Sequence, residues 1–148
     1  MNRIEAWERL CALLEDDPLL WERVRYALAD RDDDPWEELL DGLDDAGALA
    51  YLRTDDTGTE LADALVQLPR VFRLQLDLDE VNDTDDLADA MTIADEALAR
   101  AGFRLVLLPS DDDDAHSLVV VPAQVTAELA RVAAALRRTV EIGGPGGA

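Results

Sequence analysis

The chain has 148 residues, 49% of them hydrophobic, with 34 acidic and 13 basic side chains and a formal net charge of −21. This length suits one compact domain. The charge repels nucleic-acid phosphates and anionic lipid headgroups, so we expect no nucleic acid and no membrane as a partner. The absence of lysine excludes enzymes that need a P-loop or Schiff-base lysine.

Cysteine usage and hydropathy predict a cytoplasmic protein. Cys11 is the only cysteine, so no intramolecular disulfide can form. Its place in a helical pattern predicts a buried, unreactive thiol. No apolar run approaches the roughly 20 residues that cross a bilayer, and residues 1–10 lack the basic and apolar regions of a signal peptide.

Three short helices are predicted at the start of the chain. The apolar residues of the first recur at steps of three and four and so share one helical face. They are Ile4, Trp7, Leu10 and Leu14. The second and third helices each open with an N-cap aspartate followed by proline, at Asp17–Pro18 and Asp34–Pro35. Gly47 stands where the third helix would end.

The middle of the chain predicts a short edge strand, a helix and a longer strand. Residues 48–53 are too few for periodicity to decide between strand and irregular chain, and we favour the strand. Thr57 and Glu60 form a capping-box pattern that opens the helix, which Pro69 ends. Apolar and polar residues alternate strictly over residues 72–78, which predicts a strand with one face in solvent.

The last third of the chain predicts a helix, two buried strands and a final helix. The first of these helices begins near Asp83 and ends at Gly102. The apolar runs 103–108 and 118–121 predict the two strands, which an acidic hairpin loop joins. Pro122 suits the first turn of the final helix.

Together these elements predict an α+β fold. We expect a two-layer domain in which helices pack against a small mixed β-sheet of three to four strands. Three short N-terminal helices precede the sheet. We expect one acidic domain over residues 1–142, made of a helical lobe (1–46) and a part that holds the sheet and the remaining helices (47–142). Residues 143–148 are expected to form a flexible glycine-rich tail.

The densest group of candidate metal ligands lies in the segment LDLDEVNDTDD, residues 76–86. Asp77 and Asp79 share one face of the predicted strand and Asp83 follows a turn later, so three carboxylates are available to hold Mg²⁺ or Ca²⁺. The alternative is structural, with Asp83 as an ordinary N-cap and the other two facing water. No other cofactor is predicted.

A second candidate site, for contact with a partner, combines an acidic loop with the single histidine. Its residues are Asp111, Asp112, Asp113, Asp114 and His116. They also suit a proton relay, although a run of four aspartates is the usual composition of a solvated loop. Trp7 and Trp36 lie on apolar stripes and are predicted core residues. Trp21 lies off these stripes and is a further candidate for partner contact.

Three segments resemble a bacterial family catalogued as domain of unknown function 6630. They are DPWEELLDGLDDAGALAYL, DTGTELADAL and DDDDAHSLVVVPAQVTAELARVAAAL. The resemblance covers most of the chain from Asp34 onwards. It implies no activity, cofactor or site residues, and it agrees with a non-secreted, cytoplasmic protein.

No catalytic residues are predicted, because no nucleophile elbow is present and a lone histidine cannot complete a zinc shell. The leading hypothesis is a non-catalytic cytoplasmic interaction module, such as an inhibitor, immunity protein or accessory regulator, whose acidic surface binds a basic protein. The alternative is a divalent-metal-binding domain or metal-dependent phosphoesterase that uses Asp77, Asp79 and Asp83. A third interpretation is a housekeeping domain whose acidity serves solubility alone.

Overall fold

The computed structural model describes residues 2–15, 18–30, 34–109 and 114–143. Its helices are α1 (Arg3–Leu14), α2 (Leu19–Ala29), α3 (Pro35–Asp45), α4 (Gly58–Val66), α5 (Pro69–Phe72), α6 (Asp79–Asn82), α7 (Leu87–Arg100) and α8 (Thr126–Ala135), the last preceded by a 3₁₀ turn (Ala123–Val125). Its strands are β1 (Ala50–Arg53), β2 (Phe103–Leu108), β3 (Ala115–Pro122) and β4 (Glu141–Ile142). None of the described helices is long and apolar enough to span a membrane. Of the predicted tail, only Gly143 lies within the described residues.

The strands form one sheet in the order β1-β3-β2-β4, and every neighbouring pair is antiparallel. The central strand, β3, pairs with β2 from Pro122 opposite Phe103 to Ser117 opposite Leu108. The predicted α+β class, with three helices before a small sheet, is confirmed. The sheet is antiparallel rather than mixed, because the segment expected to supply a parallel strand does not join it.

Helices cover both faces of the sheet. Successive residues of β3 face opposite ways, so Val119 and Val121 pack with α1, α2, α3 and α8, which we call the first layer. Leu118 and Val120 pack with α4, α5, α6 and α7, which we call the second layer. Burial on both faces explains why β2 and β3 have continuous apolar runs in the sequence. The molecule therefore has three layers and not the two predicted.

Helices from both ends of the chain build the first layer together. Trp7 of α1, Leu43 of α3 and Leu129 of α8 belong to one core cluster with Val121 of the sheet. The predicted helical lobe over residues 1–46 thus shares its core with the sheet and with α8. The domain boundaries themselves stay a prediction.

The predicted strand over residues 72–78 is wrong. Pro69 occupies the first position of α5, which ends at Phe72, and the chain then turns through Gln75 with a φ of 51° before α6 begins. Leu78 is buried, whereas Phe72 is 72% exposed, so the alternating apolar residues do not share one buried face. The backbone angle of Pro69 suits the first turn of a helix. This preference outweighs the alternation of apolar and polar residues that suggested a strand.

Local capping signals predicted several helix ends correctly. The side chain of Asp34 accepts a hydrogen bond from the N–H of Trp36 at 3.0 Å. The capping box of α4 is present, and the Glu60 carboxylate accepts the N–H of Thr57 at 2.8 Å. Gly102 follows α7 with a φ of 86°, the left-handed conformation that glycine adopts without strain.

One predicted cap is wrong. Asp83 is the C-cap of α6 rather than the N-cap of the next helix. Asp86 caps α7 instead, and its side chain accepts the N–H of Asp89 at 3.0 Å. Four residues from 83 to 89 are aspartates, and each is a residue type that suits an N-cap. Composition alone therefore did not identify the residue that caps α7.

Candidate functional site

The three aspartates predicted to hold a metal lie on short exposed elements. Asp79 opens α6 and Asp83 caps its end, while Asp77 precedes it and accepts the N–H of Asp79 at 3.0 Å. The shared strand face that motivated this site is absent. Within the described residues, no three histidine, cysteine, aspartate or glutamate side chains are grouped so as to hold a metal ion. Metal binding by Asp77, Asp79 and Asp83 stays a prediction, which a thermal shift with Mg²⁺ or Ca²⁺ tests.

Two of the residues predicted to contact a partner, Trp21 and His116, lie on opposite sides of the sheet. Trp21 is half-buried and packs against the core of the first layer. His116 is half-buried in β3, opposite Leu52, on the same face as Leu118 of the second layer. It lies in the strand, not in the predicted loop, because β3 begins at residue 115.

The acidic loop is only partly described. Asp114 is exposed, and its carbonyl oxygen accepts the N–H of Thr54 at 3.0 Å, which attaches the start of β3 to the end of β1. Asp111, Asp112 and Asp113 lie outside the described residues. Their predicted contact with a partner therefore stays a prediction.

The second layer carries a surface of carboxylates, which we call the acidic surface. It comprises the exposed residues Glu60, Asp63, Asp77, Asp79, Glu80, Asp83, Asp85, Asp86 and Asp89. They lie on or next to α4, α6 and α7, which pack against one another. The sequence from residue 74 to residue 99 contains no basic residue, so no arginine of this segment neutralises the surface.

An exposed aromatic residue lies on α5, which packs against α4 of the acidic surface. Phe72 ends α5, where its N–H donates to the carbonyl of Leu68 at 2.8 Å, and its side chain is 72% exposed. The neighbouring Val71 is buried and anchors this short helix in the core of the second layer. The sequence interpretation placed Phe72 on the face of a strand and so missed its exposure.

A cleft in the first layer is lined by three arginines, and we call it the arginine cleft. It has a volume of about 480 Å³ and lies between the start of α1, the start of α3 and the end of α8. Arg3, Trp7, Arg137 and Arg138 are among its lining residues. Sequence analysis missed the site because Arg3 is more than 130 positions from Arg137 and Arg138 in the chain.

The end of α8 positions two of these arginines. The N–H of Arg138 donates to the carbonyl of Ala133 and that of Arg137 to the carbonyl of Ala134, both at 2.9 Å. These bonds are those of a Schellman motif, whose left-handed position usually holds glycine. Here that position holds Arg137, with a φ of 61°.

Trp7, which lines the cleft, contacts Trp36 with the two rings tilted by 55°. The ring centroids of Trp7 and Trp36 are 6.1 Å apart, and the guanidinium of Arg138 lies 5.2 Å from the centroid of Trp36. The indole N–H of Trp36 donates to the carbonyl of Pro109 at 2.7 Å. The indole N–H of Trp7 is buried and has no hydrogen-bond partner among the described residues. A buried donor without an acceptor costs about 1–3 kcal/mol.

The cleft arginines differ from the paired arginines elsewhere. Arg9 donates to Glu128 through Nη2 at 2.8 Å, and Arg104 donates to both carboxylate oxygens of Asp95 at 2.9 Å. The hydrogen bond from Arg9 holds the pKa of the Glu128 carboxyl below its usual value. The same bond raises the pKa of the Arg9 guanidinium. No ion pair or hydrogen bond between described residues engages the guanidinium groups of the three cleft arginines.

The one thiol is buried in the first layer, as predicted. Cys11 is 2% exposed, and burial raises its pKa to about 12, with a smaller contribution from the charge of Glu8. The thiolate is the nucleophilic form. Cys11 is therefore protonated and unreactive at neutral pH.

Comparison with known protein families assigns the chain to a family. A family model described as Domain of unknown function (DUF6630) matches residues 6–143, so the chain belongs to that family and the resemblance seen in the sequence is confirmed. No curated protein and no solved structure matches the chain.

Proposed function

We propose that this DUF6630 protein is a non-catalytic cytoplasmic interaction module that binds a basic protein, in the role of an inhibitor, immunity protein or accessory regulator. The observation that carries the proposal is the exposed Phe72 on α5, which packs against α4 of the acidic surface. The protonated thiol of Cys11 and the absence of lysine support a role without covalent catalysis.

Phe72 provides the apolar part of the proposed contact. Aromatic residues are enriched among the few interface positions that carry most of the binding free energy, and a ring of polar residues usually surrounds them. Here the chain leaves the aromatic ring in solvent and reaches the first carboxylate, Asp77, five residues later. A partner with an apolar pocket bordered by arginine or lysine fits this arrangement.

The acidic surface provides the electrostatic part. Complementary charge accelerates the encounter of two proteins and makes their binding sensitive to salt. A surface without interspersed arginines attracts a basic partner over roughly one Debye length, about 8 Å at physiological ionic strength. We therefore expect affinity to fall as sodium chloride is added.

The experiment begins with capture of the partner from a native lysate at low salt, elution with a salt step and identification by mass spectrometry. Calorimetry with the purified partner then compares Phe72→Ala with Tyr26→Ala. Tyr26 is 81% exposed on α2, in the first layer, and is the matched control. We expect Phe72→Ala to weaken binding at least tenfold and Tyr26→Ala to leave it unchanged.

A second pair of variants tests the charge. Asp79→Asn with Glu80→Gln removes two carboxylates from the acidic surface, whereas Glu8→Gln with Glu22→Gln removes two from the first layer. The first pair should weaken binding and reduce its salt dependence more than the second. Affinity that does not change with salt, or equal losses in both layers, contradicts the proposal.

A further inference from the structure

We propose that the arginine cleft binds a small organic oxyanion, a molecule that presents a carboxylate or phosphate group to Arg3, Arg137 and Arg138. This site lies in the first layer. It is therefore separate from the protein-binding surface proposed for the second layer, and it has the opposite charge.

The first argument is that these guanidinium groups have no carboxylate partner among the described residues, in a chain with 34 acidic residues. A guanidinium offers a planar fork of donors that fits the two oxygens of a carboxylate or phosphate. Three such groups around one cleft leave their donors available to a ligand. Carboxylates farther away than roughly 8 Å are screened at physiological salt and do little to repel it.

The second argument is that two of the arginines occupy positions that do not favour arginine. Arg137 has the left-handed conformation that glycine adopts without strain. Arg3 is the first residue of α1, where a positive charge opposes the helix dipole. Residues whose backbone conformation or charge is locally unfavourable in this way are expected at functional sites. Here both place a guanidinium at the same cleft.

The third argument is the indole N–H of Trp7. Trp7 is 3% exposed and lines the cleft, and this N–H is the one buried side-chain donor without a partner that the described residues contain. Buried donors are almost always satisfied. Because this N–H is itself buried, we expect the Trp7 indole to rotate towards the cleft when an oxyanion binds and accepts a hydrogen bond from it.

The dimensions and walls of the cleft indicate the size of the ligand. Its volume of about 480 Å³ falls within the roughly 300–1,000 Å³ that small-molecule sites occupy. Trp7, Pro35 and Leu136 add apolar surface beside the guanidinium groups. We infer an oxyanion on a compact apolar body rather than a bare inorganic ion.

The test is calorimetry on the full chain at constant ionic strength with three probes of similar shape. Benzoate carries a carboxylate, phenyl phosphate carries a phosphate, and benzyl alcohol carries neither. We expect saturable binding of one or both oxyanions and none of benzyl alcohol. The oxyanion that binds more tightly identifies the head group, and the fluorescence of Trp7 and Trp36 should change on binding.

Arg137→Gly separates binding from folding. It removes the guanidinium and also relieves the left-handed backbone, so it should weaken oxyanion binding at least tenfold while raising Tm by about 3 °C. Gln75→Gly is the matched control, because Gln75 has a φ of 51° and lies in the second layer, away from the cleft. It should raise Tm similarly and leave binding unchanged.

Arg3→Gln is a second variant, at the other end of the chain, and it too should weaken binding without lowering Tm. The proposal is overturned if neither oxyanion binds or if benzyl alcohol binds as well as they do. Wild-type affinity in both Arg137→Gly and Arg3→Gln overturns it too.

Discussion

The two helical layers of this protein accommodate its negative charge in different ways. In the first layer, ion pairs connect one helix to another: Arg9 of α1 pairs with Glu128 of α8, and Arg23 of α2 pairs with Glu38 and Asp45 of α3. The second layer has long acidic segments without arginine. The carboxylates of its acidic surface remain in solvent.

In the second layer, α4 meets the end of α6 in close backbone contact, and an ion pair attaches α7 to β2 of the sheet. Gly58 opens α4, and its N–H donates to the carbonyl of Thr84, just after α6, at 2.8 Å. Asp95 of α7 accepts from Arg104 and also from the N–H of Leu105, at 3.0 Å. The comparison teaches that close backbone contact and a single largely buried carboxylate can hold a layer whose exposed carboxylates have few arginines nearby. Those exposed carboxylates can then interact with a partner.

Gly58→Ala is expected to have the largest effect. A Cβ at this position would lie 1.9 Å from the carbonyl oxygen of Val81 and 2.4 Å from that of Thr84, both backbone atoms that cannot rotate away. We expect a loss of about 3 kcal/mol in the free energy of unfolding, measured with urea. Gly42→Ala in α3 is the control, since its Cβ would meet the side-chain end of Leu20 at 2.8 Å.

For Gly42→Ala, rotation of the Leu20 side chain and the gain in helix propensity, up to about 1 kcal/mol, should leave stability nearly unchanged. Equal losses in the two variants would show that backbone contact does not distinguish the layers.

Asp95→Asn is expected to have the next largest effect. The Asp95 side chain is 14% exposed and accepts three hydrogen bonds, two of them from the guanidinium of Arg104, whose pKa the carboxylate raises. Loss of the charge leaves that guanidinium without its ionic partner and should cost about 2 kcal/mol. Urea unfolding measures the change.

The control for Asp95→Asn is Glu38→Gln in the first layer. The side chains of Glu38 and Arg23 are about one third exposed, and Arg23 retains Asp45 as a second partner. Such surface pairs contribute about 0.2–1 kcal/mol. A loss from Glu38→Gln as large as that from Asp95→Asn contradicts the contrast between the layers.

The smallest expected effect is that of salt. Added sodium chloride screens the mutual repulsion of the carboxylates and should raise Tm. Replacing Asp83 and Asp85 with asparagine should raise Tm at low salt by about 2 °C and reduce the salt response. Replacing Asp41 and Asp44 of α3 should do less, because arginines lie in the same layer. A Tm that does not vary with salt would show that repulsion between the carboxylates does not destabilise the fold.

Short-range signals predicted much of the secondary structure. The cap at Asp34 and the capping box of Thr57 and Glu60 involve residues within three positions, so the sequence contains all of their atoms. The same reasoning failed at Phe72, where an alternating pattern had no neighbouring strand with which to pair. It also failed at Asp83, where several aspartates competed for one cap.

Neither surface proposed to be functional could be read from the sequence. The exposure of Phe72 depends on α5 replacing a strand, and the arginine cleft depends on α1 lying beside α8. Tandem arginines at the end of a helix suggest only that they complement its dipole. The left-handed backbone of Arg137 and the unpaired indole of Trp7 became visible in three dimensions.

The sequence by itself determined the α+β class, the apolar runs of β2 and β3, most helix ends and the acidic character of the chain, because each depends on composition or on neighbours within a few positions. The tertiary structure decided the antiparallel strand order, the presence of helices on both faces of the sheet and the meeting of Arg3 with Arg137. These features depend on contacts between distant segments, whose free energies come from packing and burial that no local pattern records.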